Sequence, residues 1–156
     1  MISGSVVILR PRIGVSSIVH GQAPAPAAGL TIGGSLLVDD LEELDAAEPA
    51  FRRYLDEVAI PVVNAEGGGL FVGPRLRSMS DPAGCERMYE GVATFSPPAP
   101  ATALVFGMNL AVLVDRGETA PRPDLAAALD DVASGRRAAR RAIWRVRQVA
   151  WRRTPG

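Results

Sequence analysis

Arginine and tryptophan side chains are concentrated in the last part of the chain, between Pro121 and Arg153. Eight of the seventeen arginines fall between Arg136 and Arg153, and no acidic residue follows Asp131. Both residue types are enriched among the side chains that dominate binding energy at protein interfaces. The residues predicted to contact a partner are Arg137, Arg140, Arg141, Trp144, Arg147 and Trp151.

Two other interpretations of this cluster remain open. Arginines supply phosphate contacts and tryptophan stacks on unpaired bases, so the segment could bind nucleic acid. Alternatively, the arginines face solvent or pair within the chain, because the net charge is zero and an acidic run lies earlier in the sequence. That run contains Asp39, Asp40, Glu42, Glu43, Asp45 and Glu48. It also weighs against a nucleic-acid partner, since it would repel the same polyanion.

Composition excludes several kinds of catalysis. The chain has no lysine, which removes Schiff-base lysines, lysine general bases and the phosphate-binding lysine of nucleotide-binding loops. Cys85 is the only cysteine and His20 the only histidine, so the chain has neither an intramolecular disulfide nor a Cys/His zinc site. A Cys85 nucleophile would need His20 as its base, and only the fold could bring these distant positions together.

Two short motifs are similar to ligand-binding loops but are better explained as ordinary structure. Three glycines at 67–69 precede a strand-like Leu-Phe-Val-Gly segment, so they predict a hairpin turn rather than a phosphate-binding loop. The acidic run lacks the glycine that an EF-hand requires at its sixth position, which indicates a solvated helix start. We therefore expect no metal ion and no cofactor.

An element must position the arginine and tryptophan side chains, and the local pattern favours a helix. Apolar residues recur at spacings of three, four or seven, the period of one helical face. They are Leu125, Leu129, Val132, Ala139, Ile143, Val146 and Ala150. The prediction is an Arg-rich C-terminal helix at about 122–153, or two shorter helices that meet at Ser134-Gly135. Like-charge pairs four residues apart, such as Arg137 and Arg141, oppose that helix, so something must compensate for them.

The rest of the chain reads as short strands and two further helices. The predicted strands are 5–10, 12–19, 30–38, 60–64, 70–72 and 92–95. The most apolar run, 102–114, is predicted to be the central strand, with Leu113 and either Leu104 or Val105 inward. One helix is predicted from about 45 to 58, with Pro49 near its first turn. A short helix is predicted from 82 to 90, because Asp81-Pro82 is a helix-start signal.

The totals and the element order together predict one α+β domain over residues 1–156. A chain of 156 residues with 47% hydrophobic and 22% charged residues is long and apolar enough for a real core. We expect a mostly antiparallel sheet of about five to seven short strands, with one central helix, a short helix and the C-terminal helix. The N-terminus lacks the pattern of a signal peptide, and the longest uncharged run is too short to span a bilayer. A cytoplasmic location without a membrane span is the expectation.

Three functions follow from these observations, in order of preference. The first is a non-enzymatic subunit or adaptor of a larger assembly, whose Arg/Trp helix contacts an acidic protein partner or a second copy. The second is a nucleic-acid-binding protein that uses the same helix. The third is a small enzyme that works without lysine, metal or Cys/His chemistry.

Overall fold

The chain folds as an α+β structure around one sheet. The computed structural model describes residues 6–9, 32–67, 69–71 and 73–156. Within them, four strands follow the spatial order β1-β2-β4-β3. The strands are β1 (Val6–Leu9), β2 (Ser35–Asp45), β3 (Cys85–Phe95) and β4 (Ile143–Arg153).

Three long strands form the antiparallel part of this sheet. Strand β4 lies in the centre and pairs antiparallel with β2 on one side and β3 on the other. The short β1 pairs in parallel with β2. Bulges interrupt the register near Glu42 in β2 and near Met88 in β3. Strand β3 is therefore an edge of the described sheet.

The helices lie between the strands in the sequence. A continuous helical run consists of α1 (Pro49–Tyr54), a π-helical segment (Leu55–Ala59) and α2 (Ile60–Ala65). The helices α3 (Gly73–Ser78), α4 (Ala99–Asp115) and α5 (Pro123–Ala133) follow. Each of α1, α4 and α5 has a proline in its first turn, where its missing N–H is not needed by the helix.

Two apolar clusters stabilise the fold, one mainly among the helices and one between α3 and the sheet. The larger one packs α1, the π-helical segment, α4 and α5 together, with Phe51, Phe106 and Leu125 at its centre. The smaller one packs Leu76 of α3 against Leu36, Val38, Val149 and Trp151 of the sheet. Leu44 and Trp144 connect the sheet to the larger cluster.

The predicted C-terminal helix at about 122–153 is wrong beyond its first third. Helix α5 ends at Ala133, and Gly135 adopts a positive φ of 74° just after it. Residues 143–153 then form the central strand, because they find pairing partners on both sides. Tertiary pairing of this kind overrides a local helical pattern.

Other sequence predictions need correction as well. The run 102–114 is part of helix α4, not the central strand, and residues 82–90 contain the start of β3, not a helix. Residues 60–64 are helical, so the expected hairpin around the glycines does not form. Five to seven strands is more than the described residues show. The predicted helix near 45–58 is confirmed in outline, while the predicted strand at 12–19 lies outside the described residues.

Candidate interaction surface

Two of the four arginines predicted to face a partner, Arg137 and Arg147, form ion pairs inside the chain. Arg147 of β4 donates to Glu42 through Nε (2.5 Å) and Nη2 (3.0 Å), and to Glu90 through Nη1 (2.9 Å). Its side chain is only 7% exposed. Arg145 pairs with Glu43 at 2.5 Å. The predicted acidic run therefore neutralises much of the basic strand, as one of the open interpretations held.

These pairs extend into a network across one face of the sheet. Glu90 also accepts from Arg87 at 2.6 Å, and Arg87 donates to Asp81 at 2.7 Å. Hydrogen bonds from Arg147 hold the pKa of Glu42 below its ordinary value. The guanidinium favours the ionised form of this carboxyl group. The network fixes three strands relative to one another and leaves no unpaired group for catalysis among these residues.

The two tryptophans of β4 differ in how deeply they are buried. Trp151 is fully buried, its Nε1 donates to Asp81 at 2.7 Å, and the Arg87 guanidinium lies 5.6 Å from its ring centre. Trp144 is half-buried and stacks on Phe95 with ring centres 6.0 Å apart. The buried position of Trp151 removes it from any surface of the folded chain.

The remaining arginines of the predicted surface lie in the segment between α5 and β4. Arg137 donates to Glu48 at 2.7 Å, and Glu48 caps the start of α1. Arg141 is exposed and contacts the Ser96 carbonyl at 3.4 Å. Arg140 is exposed and makes no ion pair with a described residue. Of the four predicted arginines, Arg140 and Arg141 are therefore the two without an ion pair to the described part of the chain.

A shallow groove of about 450 Å³ lies beside this segment. Its lining includes Ala47, Glu48, Pro49 and Arg140. Glu48 is the one carboxylate in the lining, and it is already held by Arg137 and by the backbone N–H of Ala50. Because Glu48 is already engaged, it is a poor candidate for a general acid or base in this groove.

The largest departure from an ordinary surface is the outward side of helix α4. No charged residue occurs from Ala99 to Val114, a span of more than four helical turns. Phe106 and Leu110 point into the larger cluster and are buried. On the opposite side, apolar residues recur every four positions and remain exposed. They are Leu104 (55% exposed), Met108 (61%) and Val112 (47%).

Helix α5 serves as a comparison for α4, because it also has one buried face and one exposed face. It buries Leu125, Leu129 and Val132 along one face. Its outward positions hold acidic residues and small alanines, such as Asp130 and Ala127. A helix that is apolar on all sides is normally buried on all sides. The outward face of α4 is therefore an apolar surface that none of the described residues covers.

Charged residues lie near both ends of helix α4. At the start of α4, Arg141 contacts the Ser96 carbonyl, and the Ser96 hydroxyl donates to the Ala142 carbonyl at 2.8 Å. At its end lie Asp115 and Glu118, which are exposed and make no ion pair with any described residue. One end is thus basic and the other carries two free carboxylates, beside Arg116.

The edge strand β3 adds a smaller exposed apolar region. Phe95 is 49% exposed and lies three residues before the cap of α4. Tyr89 and Val92 are also exposed, but a bulge and the charged residues Arg87 and Glu90 interrupt the first half of the strand. Such features protect sheet edges from pairing with other chains. We regard α4 as the stronger candidate for binding.

Sequence reasoning missed the α4 surface because it treated this run as a buried strand. The length of the largely apolar run 102–114 indicated a helix, because it exceeds the length of a normal strand. Pro98 and Pro100 also mark a helix start.

Comparisons with known proteins do not add a functional assignment. No family model and no curated protein matches this chain. Among the described residues, no helix has the length and apolar character needed to cross a membrane. The same residues contain no group of three histidine, cysteine, aspartate or glutamate side chains placed to hold a metal ion.

Proposed function

We propose that this protein is a non-enzymatic subunit of a protein assembly and that it docks through the outward face of α4. The proposal rests on one observation, the exposed row of Leu104, Met108 and Val112 on a helix that has no charged residue before Asp115. It retains the subunit role expected from the sequence and a cytoplasmic location. It moves the contact from the arginine segment to a neighbouring helix.

The energetics of this row support docking. Complete burial of a leucine, methionine or valine side chain contributes about 1.5–3 kcal/mol. Since each of these residues is about half exposed, covering them contributes about 1 kcal/mol per side chain. A helix with apolar residues every four positions fits either a groove or another helix. Rows of this kind are uncommon on monomers and mark interaction sites.

Arg140 and Arg141 would form the basic edge of this interface. Charges at a rim raise the rate of association and select partners more than they add affinity. In this proposal an acidic region of the partner faces them. Arg147 and Trp151 act indirectly, because they stabilise the sheet against which the helices pack. A nucleic-acid partner has less support, since Arg145 and Arg147 of β4 are paired with carboxylates.

In-cell photo-crosslinking tests the proposal for a partner of any identity. A photo-reactive amino acid is placed at position 108, at the centre of the face, and at position 127 on the outward side of α5 as the matched control. We expect a crosslinked protein species from position 108 and none from position 127. Equal labelling at both positions, or no species at position 108, would refute a docking role for α4.

A further inference from the structure

The proposed interface raises the question of what covers it, and we propose that the cover is a second copy of this chain. Two α4 helices would pack antiparallel about a two-fold axis that passes near Met108. This inference rests on the proposed function, since it names the partner of the same face. Two-fold dimers are the commonest assemblies of soluble proteins and need a self-complementary patch.

The apolar row is self-complementary when two copies run in opposite directions. Met108 lies at its centre, and Leu104 and Val112 lie four residues to either side. In an antiparallel pair centred on Met108, Leu104 of each copy meets Val112 of the other. Ala101 and Ala111, both exposed on the same side, let the helix axes approach closely. Met108 thus meets Met108 and Leu104 meets Val112, so apolar side chains oppose one another at the centre of the contact.

The charges at the two ends of α4 fit the same arrangement. The antiparallel pair places the start of one helix beside the end of the other. Arg141, held near the helix start through Ser96, then lies close to Asp115 and Glu118 of the second copy. Arg140 adds to the basic side, while Arg116 offsets one of the two acids. The contact is formed twice, once at each end, because of the two-fold symmetry.

A parallel pair of α4 helices would be less favourable both in its end charges and in its helix dipoles. It would bring Arg141 of one copy against Arg141 of the other, and the acidic ends would likewise meet. The helix dipoles would also align side by side in the same direction, whereas an antiparallel pair opposes them favourably. The charge distribution thus selects the antiparallel arrangement over the parallel one.

The size of the contact sets the expected affinity. Helix α4 is about 25 Å long at 1.5 Å per residue, so a pair of such helices covers less than the roughly 800 Å² per partner of a standard stable interface. We therefore expect a reversible dimer with a dissociation constant in the micromolar range. Its formation should weaken as ionic strength rises, because the ion pairs at its ends are exposed.

Charge-swap complementation tests this arrangement directly. One full-length variant combines Arg140→Glu with Arg141→Glu, and the other combines Asp115→Arg with Glu118→Arg. Each alone faces like charges at both ends of the pair and should be monomeric by sedimentation velocity. An equimolar mixture restores opposite charges at both ends, so the dimer should return. Circular dichroism checks that each variant is folded, and Met108→Glu provides an independent variant that should also be monomeric.

Three results would overturn the inference. They are a wild-type protein that stays monomeric up to hundreds of micromolar, variants that dimerise as well as the wild type, and a mixture that remains monomeric when the wild type dimerises. The first result would leave the proposed function intact if crosslinking at position 108 captures a different protein. Absence of any crosslinked species would refute the proposed function itself. The two failures are therefore distinguishable.

Discussion

A buried arginine on the central strand is stabilised by carboxylates from both neighbouring strands. Arg147 shares hydrogen bonds with Glu42 and Glu90, and the two acids in turn accept from Arg77 and Arg87. Loss of one member of such a network is costly because its partners remain partly buried and unpaired.

We expect Arg147→Met to lower the free energy of unfolding by about 2–3 kcal/mol, less than for a fully buried pair because Glu42 and Glu90 are partly exposed. Arg152→Met is the matched control, because Arg152 lies exposed on the same strand without an ion pair to a described residue. It should change stability by less than about 0.5 kcal/mol. Urea unfolding of the three proteins measures both effects. Equal stability of Arg147→Met and the wild type would show that the network is not stabilising.

Acid should weaken the same network. Because the pKa of folded Glu42 lies below its ordinary value of 4.5, its contribution is complete above that value and is lost as pH falls through the folded pKa. Glu42→Gln should therefore destabilise the protein more at pH 7 than at pH 3. Melting temperatures of both proteins across this range provide the measurement. A difference in melting temperature that is the same at every pH would contradict a stabilising role for ionised Glu42.

At the scale of elements, the order of helices and strands was only partly predictable. The α+β class and the helix near residue 50 followed from composition, period and the position of Pro49. Strand β4 did not follow from the local pattern, which is ambiguous. Ile143, Val146 and Ala150 have the spacing of a helical face. Arg147, Val149 and Trp151 lie two residues apart, as on one face of a strand. Pairing with β2 and β3 decided between the two patterns, and such long-range pairing is not encoded locally.

One clue to β4 was available in the sequence. Like-charge arginines four residues apart oppose a helix, which indicated that something had to compensate for them. In the strand this problem disappears, since Arg145 and Arg147 meet Glu43 and Glu42 across the sheet. The partner surface was predicted on a helix, whereas its residues lie in β4 and in the segment that precedes it.

Two glycines test the helix assignments. Gly107 lies within α4, and an added Cβ there would meet no atom within 4 Å. Gly107→Ala should therefore stabilise the protein by about 0.5–1 kcal/mol. Gly135 ends α5 with a φ of 74°, so Gly135→Ala should destabilise by about 1 kcal/mol. Thermal denaturation distinguishes these signs, and the opposite order would contradict both assignments.

At the scale of the whole molecule, charge and apolar surface are unevenly distributed. Arg145 and Arg147 of β4 are neutralised by carboxylates on the sheet, while the exposed side of α4 has apolar residues where charges are usual. That the chain forms a single domain stays a prediction. We propose above all that this side of α4 is an interaction surface, whatever the identity of its partner.

The apparent size of the tagged protein in extracts of its native host tests that proposal most directly. Met108→Glu places a charge at the centre of the face, at a position exposed enough to tolerate it. Ala127→Glu makes the same change on the outward side of α5. We predict that the wild type and Ala127→Glu elute well above the 16.4 kDa of one chain, whereas Met108→Glu elutes as a folded monomer. Identical elution of Met108→Glu and the wild type would contradict an interaction role for this face.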